Sequence, residues 1–240
     1  MNDIESFSSG ILQKWEIGGY LYKDSMYLYS KEPISEAICS DILDLLNLDH
    51  IKYKLVDNDI GVDSILNKLS ICKLDSNIIK ISDIILDKDI DIFFKHLLEI
   101  DDKLGLLNMF IFDALVSNPD RHINNIHLKD GKVIIIDNGQ ALSSMNGFEV
   151  LKNHWRSQPF EPFHDDQLKF LFKHFNDILD LSIINKLNLI NKASLDKILN
   201  NYLEGSRKED ILQLILENKN NIIKLYEELK TPKDNNLEWK

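Results

Sequence analysis

SNPDRHINNIHLKDGKVIIIDNG, Ser117–Gly139, is the stretch on which the rest of the chain turns. Val133 to Ile136 is a continuous aliphatic run, the pattern of a buried strand. Asp130-Gly131 before it reads as a two-residue turn after Ile126-His127-Leu128, so a hairpin is expected. Hairpin geometry brings two polar mouths together, Asp120 to Asn125 on one side and Asp137 to Gly139 on the other. Strand pairing explains the hairpin but not the acidity of its mouths.

Outward from the hairpin, the chain reads as globular. Its 240 residues suffice for one large domain or two small lobes with a substantial core. No Pro- or Gly-rich linker, internal repeat or long run of like charge interrupts it. The longest apolar stretch, Leu104 to Val116, is broken by Asn108 and Asp113, so no membrane span is expected. MNDIESFSSG lacks a basic segment followed by an apolar one, which predicts cytoplasmic synthesis without a secretory signal and leaves later export as an effector open. A net charge of −11 with scattered Arg argues against direct nucleic acid binding through phosphate contacts. Cys39 and Cys72 have no metal or disulfide spacing and read as buried thiols. His154 and His164 read as loop residues, and Trp15 and Trp155 as packing residues.

The elements suggest an α+β architecture. Ile11 to Ile17, Gly18-Gly19 and Tyr20 to Lys23 form a predicted hairpin. Pro33 and Ser35 open a helical pattern through Ile34, Ala37, Ile38, Ile42, Leu45 and Leu46, with Glu36 in its first turn. His50 to Val56 and Ile65 to Cys72 read as strands. From Ser82 the periodicity is helical apart from the hairpin, and Ser206 with Glu209 forms a capping box before Ile211, Leu212 and Ile215. The expected plan is a small antiparallel-sheet lobe with one helix, residues 1–74, and a larger, mainly helical lobe, residues 75–240.

The acidic mouths have the composition that phosphoryl transfer requires. That reaction needs a carboxylate near the attacking hydroxyl and oxygen ligands for Mg2+ on the nucleotide phosphates. Asp120, Asn125 five positions later and Asp137 seventeen residues past Asp120 supply such a set. Mg2+ is suited to sparse carboxylates completed by phosphate and water. Upstream, Ser8-Ser9-Gly10 has the small residues of a phosphate cradle. Lys23 at a strand end and Glu36 thirteen residues later suit a phosphate-positioning ion pair. Each has an ordinary reading as well: Asp120 and Ser8-Ser9-Gly10 as turn residues, Lys23 as a solvated strand end, Glu36 as an acid favoured by the helix dipole. Asn124 competes with Asn125 as ligand, because a one-residue shift exchanges them.

NPDRHINNI followed by IIIDNG resembles the catalytic and metal-binding loops of HipA-like Ser/Thr kinases, including the bacterial cell-translocating kinases. Phosphatidylinositol 3/4-kinases have a similar Asp-Arg-His turn. SSGILQK, Ser8 to Lys14, is similar to the Ser-Gly-x-x-x-Lys phosphate loop of HipA-like proteins, and YLYK followed by ISEA to their strand Lys and helix Glu. SQPFEPFHDDQ, Ser157 to Gln167, resembles a segment after the metal loop of short members, so the likeness spans residues 6 to 170 in order.

The resemblance implies a two-lobed protein-kinase-like fold and an ATP- and Mg2+-dependent transfer to a protein Ser or Thr. Asp120 would be the catalytic base, Asn125 and Asp137 the metal ligands, Lys23 the phosphate contact and Glu36 its partner. His122 would brace the loop, and Leu69 to Cys72 would lie beside adenine. Ser6, Ser8 and Ser9 become candidates for autophosphorylation, and a cognate antitoxin or regulator a candidate partner. The chain departs from the pattern in having one Gly in the phosphate loop and Asn138 after Asp137, and it is expected to lack the extra amino-terminal subdomain of the long members. A small-molecule or phosphoinositide kinase shares the same chemistry, although Gly139 to Phe160 lacks a basic patch for an anionic membrane substrate. The reduced phosphate loop keeps a pseudokinase-type binding module open.

Overall fold

Gly18 and Gly19, with φ of +59° and +78°, occupy the left-handed region that a two-residue hairpin turn needs. They join β2 (Lys14–Ile17) to β3 (Tyr20–Lys23) in a register that sets Lys14 opposite Lys23. The computed structural model describes residues 5–7, 14–24, 32–59, 68–80, 100–118, 120–121, 125–142 and 181–230. With β1 (Glu5–Phe7), β4 (Lys54–Asp57) and β5 (Lys68–Lys73), these strands form a five-stranded antiparallel sheet in the order β1-β2-β3-β5-β4. Trp15, Leu69 and Cys72 are buried in it, and both cysteines are free thiols as expected.

Helix α1 (Glu32–Leu46) is buried on nearly every side. It packs on β4 and β5 and also contacts α4 (Lys192–Leu199) of the helical lobe. Asp41 accepts a 2.8 Å bond from the Tyr202 hydroxyl, and the Asn47 carbonyl accepts one of 3.0 Å from Lys186. Ile38, Cys39, Ile42, Leu43 and Leu46 thereby join a single apolar cluster with the helical lobe. The helix starts at Glu32, so Glu36 lies one turn further in than expected, and the first-turn acid is Glu32.

A second sheet, β6 (Ile78–Lys80), β7 (His127–Lys129) and β8 (Lys132–Ile134), carries the expected hairpin. Asp130 and Gly131, with φ of +51° and +79°, make its turn. Strand β6 has no counterpart in the sequence reading. Its three residues carry no periodicity of their own, and it exists by pairing Lys80 with His127. The expected strand from His50 begins only at Lys54, because the Tyr53 N–H goes to Ser40 Oγ at 3.1 Å instead of to a strand. His50 keeps an isolated bridge to Ile135, which ties the segment after α1 to the segment before Asp137.

The helical lobe contains α2 (Lys103–Val116), α3 (Leu181–Leu187), α4 and α5 (Gly205–Lys230). Asp102 caps α2 by accepting from the Gly105 N–H at 3.0 Å, and it also accepts from the Val133 N–H at 2.9 Å. The cap expected at Ser206 is not there, since α5 already begins at Gly205; Asn191 and Ser194 form a capping box on α4. Among the described residues no helix is long and apolar enough to cross a membrane. The architecture is α+β and two-lobed, a small antiparallel sheet with one helix beside a mainly helical lobe.

Candidate active site

Lys23 ends β3 on its buried side, 3% exposed, and its ammonium has three partners. It donates to Glu36 Oε1 at 2.8 Å, to the Tyr53 hydroxyl at 2.9 Å and to Asp137 Oδ1 at 3.0 Å. The other Glu36 oxygen accepts from the Asn138 N–H at 3.0 Å, so one buried carboxylate on α1 touches both the strand lysine and the acidic turn. Burial alone would discharge Lys23, but Asp137 and Glu36 outweigh it and hold the ammonium pKa well above its ordinary value. At Asp137 burial is opposed by Lys23 and then Lys14, which hold its carboxyl well below the usual carboxylate range. Burial pushes the Glu36 carboxyl up against the pull of Lys23.

Arg121 joins the two mouths of the hairpin. Its side chain is fully buried, and each of its five N–H donors has an acceptor. Nε and Nη2 form a fork on Asp113 of α2 at 2.8 and 3.0 Å. Nη1 donates to the Asn125 carbonyl at 2.6 Å and the Ile136 carbonyl at 2.8 Å, and Nη2 donates to Asn138 Oδ1 at 2.8 Å. Helix α2, the Asn125 backbone and the acidic turn therefore share one guanidinium. A buried pair this well satisfied orients its surroundings; removing one partner would leave a charge stranded.

Asp120 and Asn125 are in contact. Asn125 Nδ2 donates to the Asp120 carbonyl at 2.8 Å and to Asp120 Oδ2 at 3.3 Å, while the Asp120 N–H donates to Asn118 Oδ1 at 3.2 Å. With the Asn125 amide nitrogen engaged, its Oδ1 is the end suited to a cation. Asp137 sits at φ +57°, a left-handed conformation that Asp tolerates better than most side chains. An amide oxygen and an ionised carboxylate fit Mg2+, whose sphere nucleotide phosphates and water would complete. Among the described residues no group of three or more His, Cys, Asp or Glu forms a protein-only metal cage.

Positive charge gathers around this carboxylate in an otherwise acidic chain. Lys14 is the register partner of Lys23, and burial lowers its pKa against the pull of Asp137. Burial, with Lys80 beside it, pushes the His127 imidazole down to about 4, and its Nδ1 has no hydrogen-bond partner.

Of the residues singled out in sequence, the structure brings together Lys23, Glu36 and Asp137, and separately Asp120 and Asn125, with Arg121 spanning the two groups. Ser8, Ser9, Gly10, His122 and Asn124 lie outside the described residues, as do the side chain of Ser6, the segment 157–167, His154, His164 and Trp155. Phe7 and Lys14, which flank the serine-rich segment, are paired across β1 and β2. Leu69 to Cys72 forms the body of β5, with Ser70 opposite Lys23, and 74–77 connects this strand to the next sheet. The sequence reading missed Tyr53, Asp113, Asn118, Arg121 and Asn138. Asp113 carried a signal as an acid within an apolar helix, and Arg121 and Asn138 stood inside the quoted motifs without a role of their own.

No family model matches the chain, and no curated protein matches it in sequence. Solved structures do match in three dimensions. The chain is similar to the proinflammatory kinase CtkA of Helicobacter pylori, at 16% identity and a TM-score of 0.60 over 95% of each chain. It is also similar to HipA of the Shewanella oneidensis MR-1 toxin–antitoxin system, solved with HipB and operator DNA. There the identity is 10% and the TM-score 0.57, over 95% of this chain and 67% of that one. At these identities the likeness is one of fold, which the chain shares with both structures.

Proposed function

We propose that this chain is a kinase that uses ATP and Mg2+ to phosphorylate a Ser or Thr hydroxyl of a protein. The observation that carries the reading is the Lys23 ammonium held between Glu36 at 2.8 Å and Asp137 at 3.0 Å, on the fold of HipA-like kinases. Lys23, oriented by Glu36, would contact the nucleotide phosphates, and Lys14 would add positive charge beside them. Asn125 and Asp137 would hold Mg2+, which when bound offsets charge on the β- and γ-phosphates. Asp120 would accept the proton of the attacking hydroxyl. An oxygen–phosphorus bond then forms to the γ-phosphoryl group as its bond to the β-phosphate oxygen breaks, and ADP leaves. Ser8, Ser9 and Gly10 belong to this reading as the phosphate cradle, with Ser6, Ser8 and Ser9 as acceptors in self-modification.

The division into residues 1–74 and 75–240, a cytoplasmic place of action and an antitoxin-type regulator are parts of the same proposal. The break between the two sheets supports the division, the likeness to HipA the regulator, and the amino-terminal sequence without a secretory pattern the location.

Intact mass after incubation with Mg-ATP and a panel of protein acceptors tests it. Wild type is expected to transfer phosphate to itself or to an acceptor, and Asp120→Asn is not. Asp137→Ala is expected to lose Mg2+-dependent nucleotide binding; unchanged Mg-ATP affinity in that variant would overturn the site.

A further inference from the structure

Helix α5 reaches the start of the catalytic loop through one side chain. Asn218 lies on the core-facing row of α5 with Leu214 and Ile222 and is 2% exposed. A buried amide among aliphatic side chains is unfavourable unless its hydrogens are bonded. Asn218 Nδ2 donates to the Leu115 carbonyl at 3.0 Å and to Ser117 Oγ at 2.9 Å. Both acceptors lie at the C-terminus of α2, where the last carbonyls lack partners within the helix.

That end needs outside support. Ser117 closes α2 at φ +50° and ψ +56°, a left-handed conformation usually left to glycine. The Asn118 N–H bonds back to the Asp113 carbonyl at 2.9 Å, and the Val116 carbonyl accepts from the Leu142 N–H at 3.1 Å. The next link is the catalytic loop, because Asn118 Oδ1 receives the Asp120 N–H. A continuous path runs from Asn218 through Ser117 and Asn118 to Asp120.

We propose that Asn218 is a positioning residue: through Leu115 and Ser117 it fixes the path of the chain out of α2, and so the placement of Asp120. The helix that bears it thereby becomes part of the catalytic scaffold. The inference rests on the reading of Asp120 as the base. Ordinary helix-to-helix adhesion would predict a loss of stability and nothing more.

The test uses full-length wild type, Asn218→Ala, Ser117→Ala and the double variant, with Mg-ATP turnover and nucleotide affinity measured well below each melting temperature. Each single variant is expected to lower kcat by about tenfold, the rate equivalent of one neutral hydrogen bond, with the KM for ATP unchanged. The double variant should be no worse than the poorer single one, because both remove a shared contact. Full kcat in the folded variants, additive losses, or a matching fall in nucleotide affinity would overturn the proposal. Ser117→Ala keeps the Leu115 bond and serves if Asn218→Ala does not fold. If wild type neither binds nor turns over Mg-ATP, the kinase reading fails by itself. Amide exchange still decides the positioning role in that case: faster exchange confined to 115–121 in Asn218→Ala supports it, and unchanged exchange there overturns it.

Discussion

Lys23 and Asp137 are 114 residues apart in the chain and 3.0 Å apart in space, ammonium to carboxylate. With Glu36 as a second partner, the lysine places one positive charge between two acids that would otherwise face each other. Lys23→Ala should therefore cost about 3 kcal/mol near neutral pH, the usual penalty for stranding a buried partner. The sign of its pH dependence follows from Asp137. A depressed carboxyl pKa stabilises the fold above the unfolded-state value, and that contribution is lost as pH falls. Urea unfolding of wild type and variant should converge toward acid pH; a constant gap would contradict the ion-pair account.

Arg121→Lys keeps the charge and loses the fork. A lysine has three donors where the guanidinium engages Asp113, Asn125, Ile136 and Asn138 with five. The expected loss is about 3 kcal/mol of stability, with phosphoryl transfer reduced more than nucleotide affinity, since the two loops lose their shared anchor. Denaturant midpoints and single-turnover rates check this, and a neutral outcome would mean that other contacts hold the loops.

Gly139→Ala places a Cβ 3.3 Å from Glu32 Cβ and 3.7 Å from Glu36 Cγ. Helix α1 is packed on both sides and has little room to yield. The substitution is expected to cost about 1 kcal/mol and to weaken Mg-ATP binding by shifting Glu36 against Lys23. Calorimetric titration of the variant reads both effects; unchanged binding would show that the turn and α1 move independently.

His127 predicts a second pH effect, in protein without Mg2+. Burial, then Lys80, depress its folded pKa to about 4, so between that value and the ordinary histidine range the unfolded state binds a proton that the folded state refuses. Stability from this group is fully present above the unfolded histidine pKa and is lost as pH falls toward 4, by about 3 kcal/mol. His127→Leu should flatten that segment of the stability curve. A slope equal to wild type would assign the acid sensitivity to other groups.

Much of this could be read from local pattern. Asp130-Gly131 and Gly18-Gly19 announce their hairpins because turn geometry depends on the two residues that adopt it. The helix around Glu36 follows from apolar spacing, although its start does not, since Glu32 and Pro33 are buried by tertiary contacts. Strand β6 and the late start of β4 were not readable, because each depends on a distant partner: His127 for one, Ser40 for the other. The order Lys23, Glu36, Asp120, Asn125, Asp137 pointed to a common chemistry, but gave Arg121 no role.

By itself the sequence determined the α+β plan, the hairpins and the residue types capable of phosphoryl transfer, all of which depend on near neighbours and on composition. Only the tertiary structure decided which polar groups meet in the interior. Arg121 reaches five acceptors on three segments, Lys23 reaches three partners, and Asn218 reaches back 101 residues to Ser117. A buried donor must find its acceptor within about 3 Å, and a linear pattern carries no such distance.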